Sequence, residues 1–124
     1  MRLATCLIIG ACLGMSAYGE TWTVDDDGDA DFDNIQAAVD AATNGDEILI
    51  APGTYSGSGN WDIDIGGKAI WLRSTDGAEV TIIDGAKDNR GIICKTGETS
   101  TTIIQGLTIS NCVGPNGAGL LCEG

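Results

Sequence analysis

From residue 46 onward the chain is a succession of short stretches rich in Ile and Thr, each closed within a few positions by Gly, Asn or Asp. That rhythm restricts the fold to a β-architecture with many tight turns. The stretches are 47–51, 61–65, 69–74, 80–84, 91–95, 102–105, 107–110 and 119–122, with a further short strand at 21–24. In Trp61-Asp62-Ile63-Asp64-Ile65 the two carboxylates share one face and the apolar side chains the other, the alternation of a half-buried strand. Ile48-Leu49-Ile50 and Ile92-Ile93-Cys94 are apolar on both faces, as strands covered from both sides are.

Two architectures produce such a pattern, an antiparallel sandwich and a parallel solenoid. Asp76-Gly77, Asp84-Gly85 and Asn116-Gly117 could each close a hairpin, but the gaps around them are irregular. Apolar centres recur instead at Ile50, Ile70, Ile93 and Ile109, with steps of 20, 23 and 16. These lie near the roughly 20 to 25 residues of one solenoid turn. The first turn of a solenoid needs cover for its open edge, and residues 34–43 offer it. There Ile35, Ala38, Val39 and Ala42 fall at i, i+3, i+4 and i+7 and predict a helix of about three turns. Asp33 is the expected N-cap, accepting from the Gln36 N–H, and Asn44-Gly45 the expected left-handed terminator.

Arg2, an apolar run over residues 3–13 and the small residues Ala17 and Gly19 predict a signal peptide over 1–19, cut before Glu20, and hence an exported protein. The run is too short to span a bilayer. In the alternative processing, Ile9-Gly10-Ala11-Cys12 is a lipobox and the protein is lipid-anchored through Cys12. Residues 1–19 hold one of the six basic residues and none of the eighteen acidic ones, so the remainder carries a net −13. Such a surface repels phosphate backbones and anionic lipid, which excludes nucleic acid as a partner and leaves cations and neutral glycans. Beyond the leader the cysteines are Cys94, Cys112 and Cys122; an odd number leaves at most one disulfide. None has metal-ligand spacing, and the chain has no His to complete a zinc site or activate a thiol. Buried thiols at strand ends are the plain expectation.

The string Phe32-Asp33-Asn34-Ile35-Gln36-Ala37-Ala38-Val39-Asp40-Ala41-Ala42, followed by Gly45-Asp46-Glu47-Ile48-Leu49-Ile50-Ala51-Pro52-Gly53-Thr54-Tyr55, resembles the opening of the pectin-lyase-like right-handed parallel β-helix proteins. Asp62-Ile63-Asp64-Ile65, Val80-Thr81-Ile82-Ile83-Asp84-Gly85 and Gly106-Leu107-Thr108-Ile109-Ser110-Asn111 are similar to coils of bacterial members. The resemblance covers about residues 21–124. It implies an all-β fold: a right-handed parallel β-helix (solenoid) with an N-terminal capping α-helix. It implies little about activity, because the scaffold hosts lyases, hydrolases, adhesins and passive surface proteins. Relatives of this kind stack more coils than the about four counted here, and residues 119–124 end in or just after a strand, so the chain is expected to be a truncated piece. The expected organisation is a leader over 1–19, then strand, acidic loop and capping helix over 20–45, and the first coils over 46–124.

Lyases on this scaffold use an Arg or Lys base beside carboxylate-bound calcium, and its hydrolases an Asp cluster with a His. Here Lys68, Arg73, Lys87, Arg90 and Lys95 are scattered, and no catalytic site is assigned. The weak catalytic candidates are Asp62 and Asp64, about 6.6 Å apart at ordinary strand rise, near the roughly 6.5–9.5 Å of inverting glycosidases; alternating Asp on a solvent face is the ordinary outcome of period-2 patterning and the stronger account of the pair. No cofactor is expected, with calcium the one candidate ion. Asp25, Asp27, Asp29 and Asp31 belong to a run of six carboxylates in nine residues, although no register supplies the Gly and Glu of an EF-hand loop. The carboxylates also suit the N-terminus of the following helix. Trp61 and Trp71 are the candidate glycan contacts, with Trp71 on the opposite face from Ile70 and Leu72.

The reading that unites these features is a noncatalytic N-terminal segment of an exported β-helix protein engaged in surface or glycan interaction, with a polysaccharide or cell-surface glycan as partner. One alternative is the N-terminal part of a polysaccharide lyase or glycoside hydrolase whose catalytic coils lie beyond Gly124. A second is a structural envelope or adhesin repeat.

Overall fold

The computed structural model describes residues 19–114 and 119–122. The expected leader through Tyr18, the alternative lipid site at Cys12 and the Asn116-Gly117 turn lie outside the described residues. Strand Thr21–Val24 (β1) is followed by helix Ile35–Ala41 (α1). Then come Glu47–Ile50 (β2), Gly53–Tyr55 (β3), Ile63–Asp64 (β4), Trp71–Ser74 (β5), Thr81–Asp84 (β6), Ile92–Cys94 (β7), Ile103–Gln105 (β8), Thr108–Ser110 (β9) and Leu120–Cys122 (β10).

The strands form three parallel sheets in the orders β1-β2-β5-β8, β3-β6-β9 and β4-β7-β10. Neighbours in each sheet are one circuit apart in sequence, so the chain winds as a parallel β-solenoid of about four turns. Register gives the circuit length. Glu47 pairs with Trp71 and Trp71 with Ile103, steps of 24 and 32 residues; Ile63 pairs with Ile92 and Ile92 with Leu120, steps of 29 and 28. The circuit is longer and less regular than the apolar recurrence predicts. Ile50 lies in β2, Ile70 just before β5, Ile93 in β7 and Ile109 in β9, so those four residues belong to three different sheets and do not stack.

Alternation within each strand sends one set of side chains into a common interior. Ile48 and Leu72 are fully buried and in register, with Ile104 next in the same column; Tyr55 and Ile83 form a second column, Ile63 and Ile92 a third. Each such Ile or Leu contributes about 1.5–3 kcal/mol of burial. Tyr55 is buried with its hydroxyl donating to the Ala51 carbonyl at 2.7 Å, which satisfies the one polar atom that this large side chain takes inside. Strand β3 has no counterpart among the stretches expected from sequence, because Pro52-Gly53 reads as a turn. Gly106 has φ +72 and a Cβ there would stand 2.5 Å from Ser74 Oγ, so at the turn from β8 to β9 the backbone rests directly on the circuit beneath it.

Helix α1 is shorter than predicted, seven residues, and its N-cap is Asn34, one residue later than expected; the Asn34 side chain accepts from Ala37 N at 2.9 Å. Asn60 explains the shift. It is buried, accepts from Ile35 N at 3.0 Å and donates to the Ser56 carbonyl, so the helix start is pinned to the loop ahead of β4. At the other end Ala42 is extended, and Asn44-Gly45 does not terminate the helix. That turn is hooked to the next circuit, with Gly45 N donating to the Ala69 carbonyl and Asn44 Oδ1 accepting from Ala69 N. Ile35, Ala38 and Val39 are buried, and α1 packs against β1, β2 and β4. No helix among the described residues is long and apolar enough to cross a membrane.

One carboxylate joins the pieces at this end. Asp46 is buried; its Oδ1 accepts from Glu20 N at 2.8 Å, and its Oδ2 accepts from Trp22 Nε1 and from Thr43 N, each at 2.9 Å. It thereby ties the start of β1, the inner indole and the segment after α1 to the first residue of the first circuit. Burial acts to raise its pKa, but the bonds from Thr43, Trp22 and Glu20 outweigh that and hold the carboxyl below its ordinary range.

Two outcomes follow from this packing. In urea denaturation Leu72→Ala is expected to cost about 2–5 kcal/mol, whereas Val80→Ala, on a half-exposed side chain, should stay within about 0.5 kcal/mol. Because the folded pKa of Asp46 is depressed, its stabilisation is present above the unfolded value near ~4 and lost as pH falls through the folded one. Asp46→Asn should therefore lower stability at neutral pH and flatten the acid limb of a stability–pH profile measured by circular dichroism.

Candidate functional site

The outward face of the four-stranded sheet gathers side chains that are far apart in sequence. Strand alternation that buries Ile48 and Leu72 turns Glu47, Leu49, Trp71, Arg73, Ile103 and Gln105 outward. Register sets Glu47, Trp71 and Ile103 side by side, and Leu49, Arg73 and Gln105 beside them. Trp71 remains 39 % exposed. Its Nε1 donates to Gln105 Oε1 at 3.0 Å, and the Arg73 guanidinium lies 4.6 Å from the ring centroid. Arg73 in turn places Nε 2.6 Å from Glu47 Oε2, and Glu47 Oε1 accepts from Thr21 Oγ1.

An exposed indole is usually free to rotate, but this one is held by Gln105 and by Arg73, which Glu47 holds in turn. The cation–π contact is worth about 0.5–1 kcal/mol at such an exposed position. The Arg73–Glu47 pair, on side chains a quarter to a third exposed, adds at most about 1 kcal/mol after screening. Their effect is orientation: an aromatic surface held in place, flanked by a carboxylate, a guanidinium and an amide. That combination offers stacking together with hydrogen-bond donors and acceptors for hydroxyl-rich ligands.

Trp61 and Trp22 do not join this platform. Trp61 is half-buried just ahead of β4, in a different sheet from Trp71. Trp22 packs against the core, 5.6 Å centroid to centroid from Phe32, with its indole nitrogen spent on Asp46. Glu47, Arg73 and Gln105 have no signature as a group in the sequence, since Trp71 and Gln105 are 34 positions apart and Arg73 and Glu47 26 apart. Only the circuit length reveals them.

Asp62 and Asp64 flank Ile63, and each carboxylate accepts from a backbone N–H, Asp62 across circuits and Asp64 locally. Asp62 has φ +49 and lies before β4, and its Oδ1 accepts from Arg90 N at 2.9 Å. Asp64 Oδ1 accepts from Gly66 N at 2.9 Å, closing the following turn. In the acidic loop the carboxylates of Asp25, Asp26 and Asp27 present oxygens all within 4.8 Å of one another, a set that could hold a cation such as calcium. Two of the four expected residues are thus brought together and Asp26 takes the place of the others. Asp31 is turned back to the sheet, where its Oδ2 accepts from Thr23 N and Oγ1, each at 3.0 Å, and Asp29 is exposed. The crowding shows in Asp27, whose pKa is raised by its hydrogen bond with Asp25, then by the charges of Asp25 and Asp26.

Cys94 is buried, Cys112 half-buried and Cys122 exposed. Cys112 donates to the Ser110 carbonyl and lies against Gly85, at a different corner from the Cys94–Cys122 register pair. No protein-family model, no curated protein and no solved structure matches the chain.

The acidic loop yields a direct test. In a carboxyl-carbon NMR titration Asp27 should titrate above an ordinary aspartate near ~3.9, and Asp25→Asn should bring it down, since both the hydrogen bond and the larger repulsion come from Asp25.

Proposed function

We propose that this chain folds as an exported right-handed parallel β-helix of the pectin-lyase-like kind, with α1 capping its first turn, and that it binds neutral polysaccharide without transforming it. The observation that carries the binding role is Trp71, an exposed indole held on the outer face of the four-stranded sheet by Gln105 and by an Arg73 that pairs with Glu47. A fixed aromatic surface binds a sugar ring at small entropic cost, because the rotamer is already chosen. The net −13 of the chain beyond the leader favours neutral glycans over uronate polymers, which it repels.

Right-handed winding is supported by the near-universal hand of parallel crossover connections. The family reading is supported by where the resembling string falls: its first half covers α1 and its second half β2 and β3, the elements that open the solenoid. Export is supported by the leader pattern over residues 1–19.

The test is affinity electrophoresis and calorimetry against paired panels of neutral β-glucans and galactans and of polygalacturonate. Binding is expected to the neutral panel with unchanged glycan length, and Trp71→Ala should weaken it at least about tenfold, a loss of ~1.4 kcal/mol. Trp61→Ala should leave it as it was. Unaltered binding by a correctly folded Trp71→Ala protein, or preference for polygalacturonate, would overturn the reading.

A further inference from the structure

The third sheet brings two thiols into one column. Ile63 and Ile65 of the first circuit are fully buried, and register stacks Ile92 over Ile63 and Leu120 over Ile92. Two positions on, Ile65 N donates to the Ile93 carbonyl, and Cys122 pairs with Cys94. Both cysteines therefore share the inward side of the sheet. Cys94 is 7 % exposed, whereas Cys122 sits on the outermost strand of the sheet and is exposed.

Adjacent in-register strands set their Cα atoms about 4.7–4.9 Å apart, inside the roughly 4.4–6.8 Å that a disulfide spans. The thiols are already partners: burial first, then the charges of Cys122 and Glu98 and a hydrogen bond with Cys122, push the Cys94 thiol up to about 12. Cys112 is placed elsewhere, against Gly85 and the Ser110 carbonyl. The odd cysteine count thus resolves into one pair and one single thiol.

We propose that Cys94 and Cys122 form a disulfide across β7 and β10, a covalent rivet between two neighbouring circuits. The oxidant is a disulfide, small or carried by an oxidoreductase. The exposed Cys122 attacks one of its sulfurs as thiolate, forming a mixed disulfide and releasing one thiol. Cys94 then attacks the Cys122 sulfur, gives its proton to water and expels the second thiol. One disulfide is consumed, one is formed, and two thiols leave. Burial keeps Cys94 protonated and unreactive towards bulk oxidant, so the order of events is fixed: Cys122 reacts first, and Cys94 closes the bond only from within the folded column.

The experiment incubates the folded full chain with oxidised glutathione, quenches in acid, alkylates in denaturant and maps peptides by mass. The expected result is a peptide bearing Cys94 joined to one bearing Cys122, with Cys112 recovered alkylated or carrying glutathione. Cys112→Ala should leave the link intact. Cys122→Ala should abolish it and return Cys94 as a free thiol, with circular dichroism unchanged because the substituted side chain is exposed. Closing the loop between the two positions should raise Tm by at least ~10 °C relative to the reduced protein. Recovery of Cys94 as a free thiol from the oxidised wild-type chain, or its linkage to Cys112, would overturn the proposal. Glycan binding need not change in either case, so the rivet and the binding platform stand or fall separately.

Discussion

Every inward side chain in this solenoid has its neighbours chosen for it by register. A residue at one position of a circuit packs on whatever occupies the same position one circuit earlier, so Ile48 meets Leu72 and Tyr55 meets Ile83. Parallel pairing therefore makes packing a matter of columns, and one wrong residue is felt by the circuits on both sides. Asp46 performs the same alignment at the β1 end of the sheet. With three well-formed hydrogen bonds on one buried carboxylate, it fixes β1 and the exit from α1 against β2. An uncompensated carboxylate at that depth would be costly, and the same bonds that organise the corner remove that cost.

The outer faces obey the same register without the same demand for close packing. Glu47, Trp71 and Ile103 stand in one outward row, yet their sizes and polarities need not match, because solvent fills what they leave. Function can be written there at little cost to the fold. The Trp71 cluster is an instance: four side chains from three circuits converge through backbone pairing, on strands whose inward residues Ile48 and Leu72 are fully buried and Ile104 partly so.

Much of the backbone was open to reading from the residues. Alternation located all the strands except β3, whose Pro52-Gly53 start imitates a turn, and the i, i+3, i+4 stripe located α1 to within a residue or two. What escaped had a common origin in distance. The N-cap moved from Asp33 to Asn34 because Asn60, far along the chain, supplies the remaining acceptor. The turn Asn44-Gly45 belongs to the pairing with Ala69 and not to the helix end. Asp62 and Asp64 are both exposed on either side of buried Ile63, as alternation expects, but Asp62 stands just outside β4 at positive φ and its carboxylate accepts from Arg90 N of the next circuit. Trp71 was identifiable as outward-facing, but its partners were not, since circuits of 24 and 32 residues allow no fixed offset to be guessed.

The direction of the hydrogen bonds carries one more consequence. Strands run around the solenoid, so the ladders between them run along its axis. Tension applied between the two ends pulls on those ladders lengthwise, and at any instant only the bonds of the outermost circuit resist. Such a body yields by peeling, one circuit after another at low force, and does not rupture in a single event as a sheet loaded in shear does. Stretched between an anchor and a moving attachment, it would pay out length gradually and act as a damper.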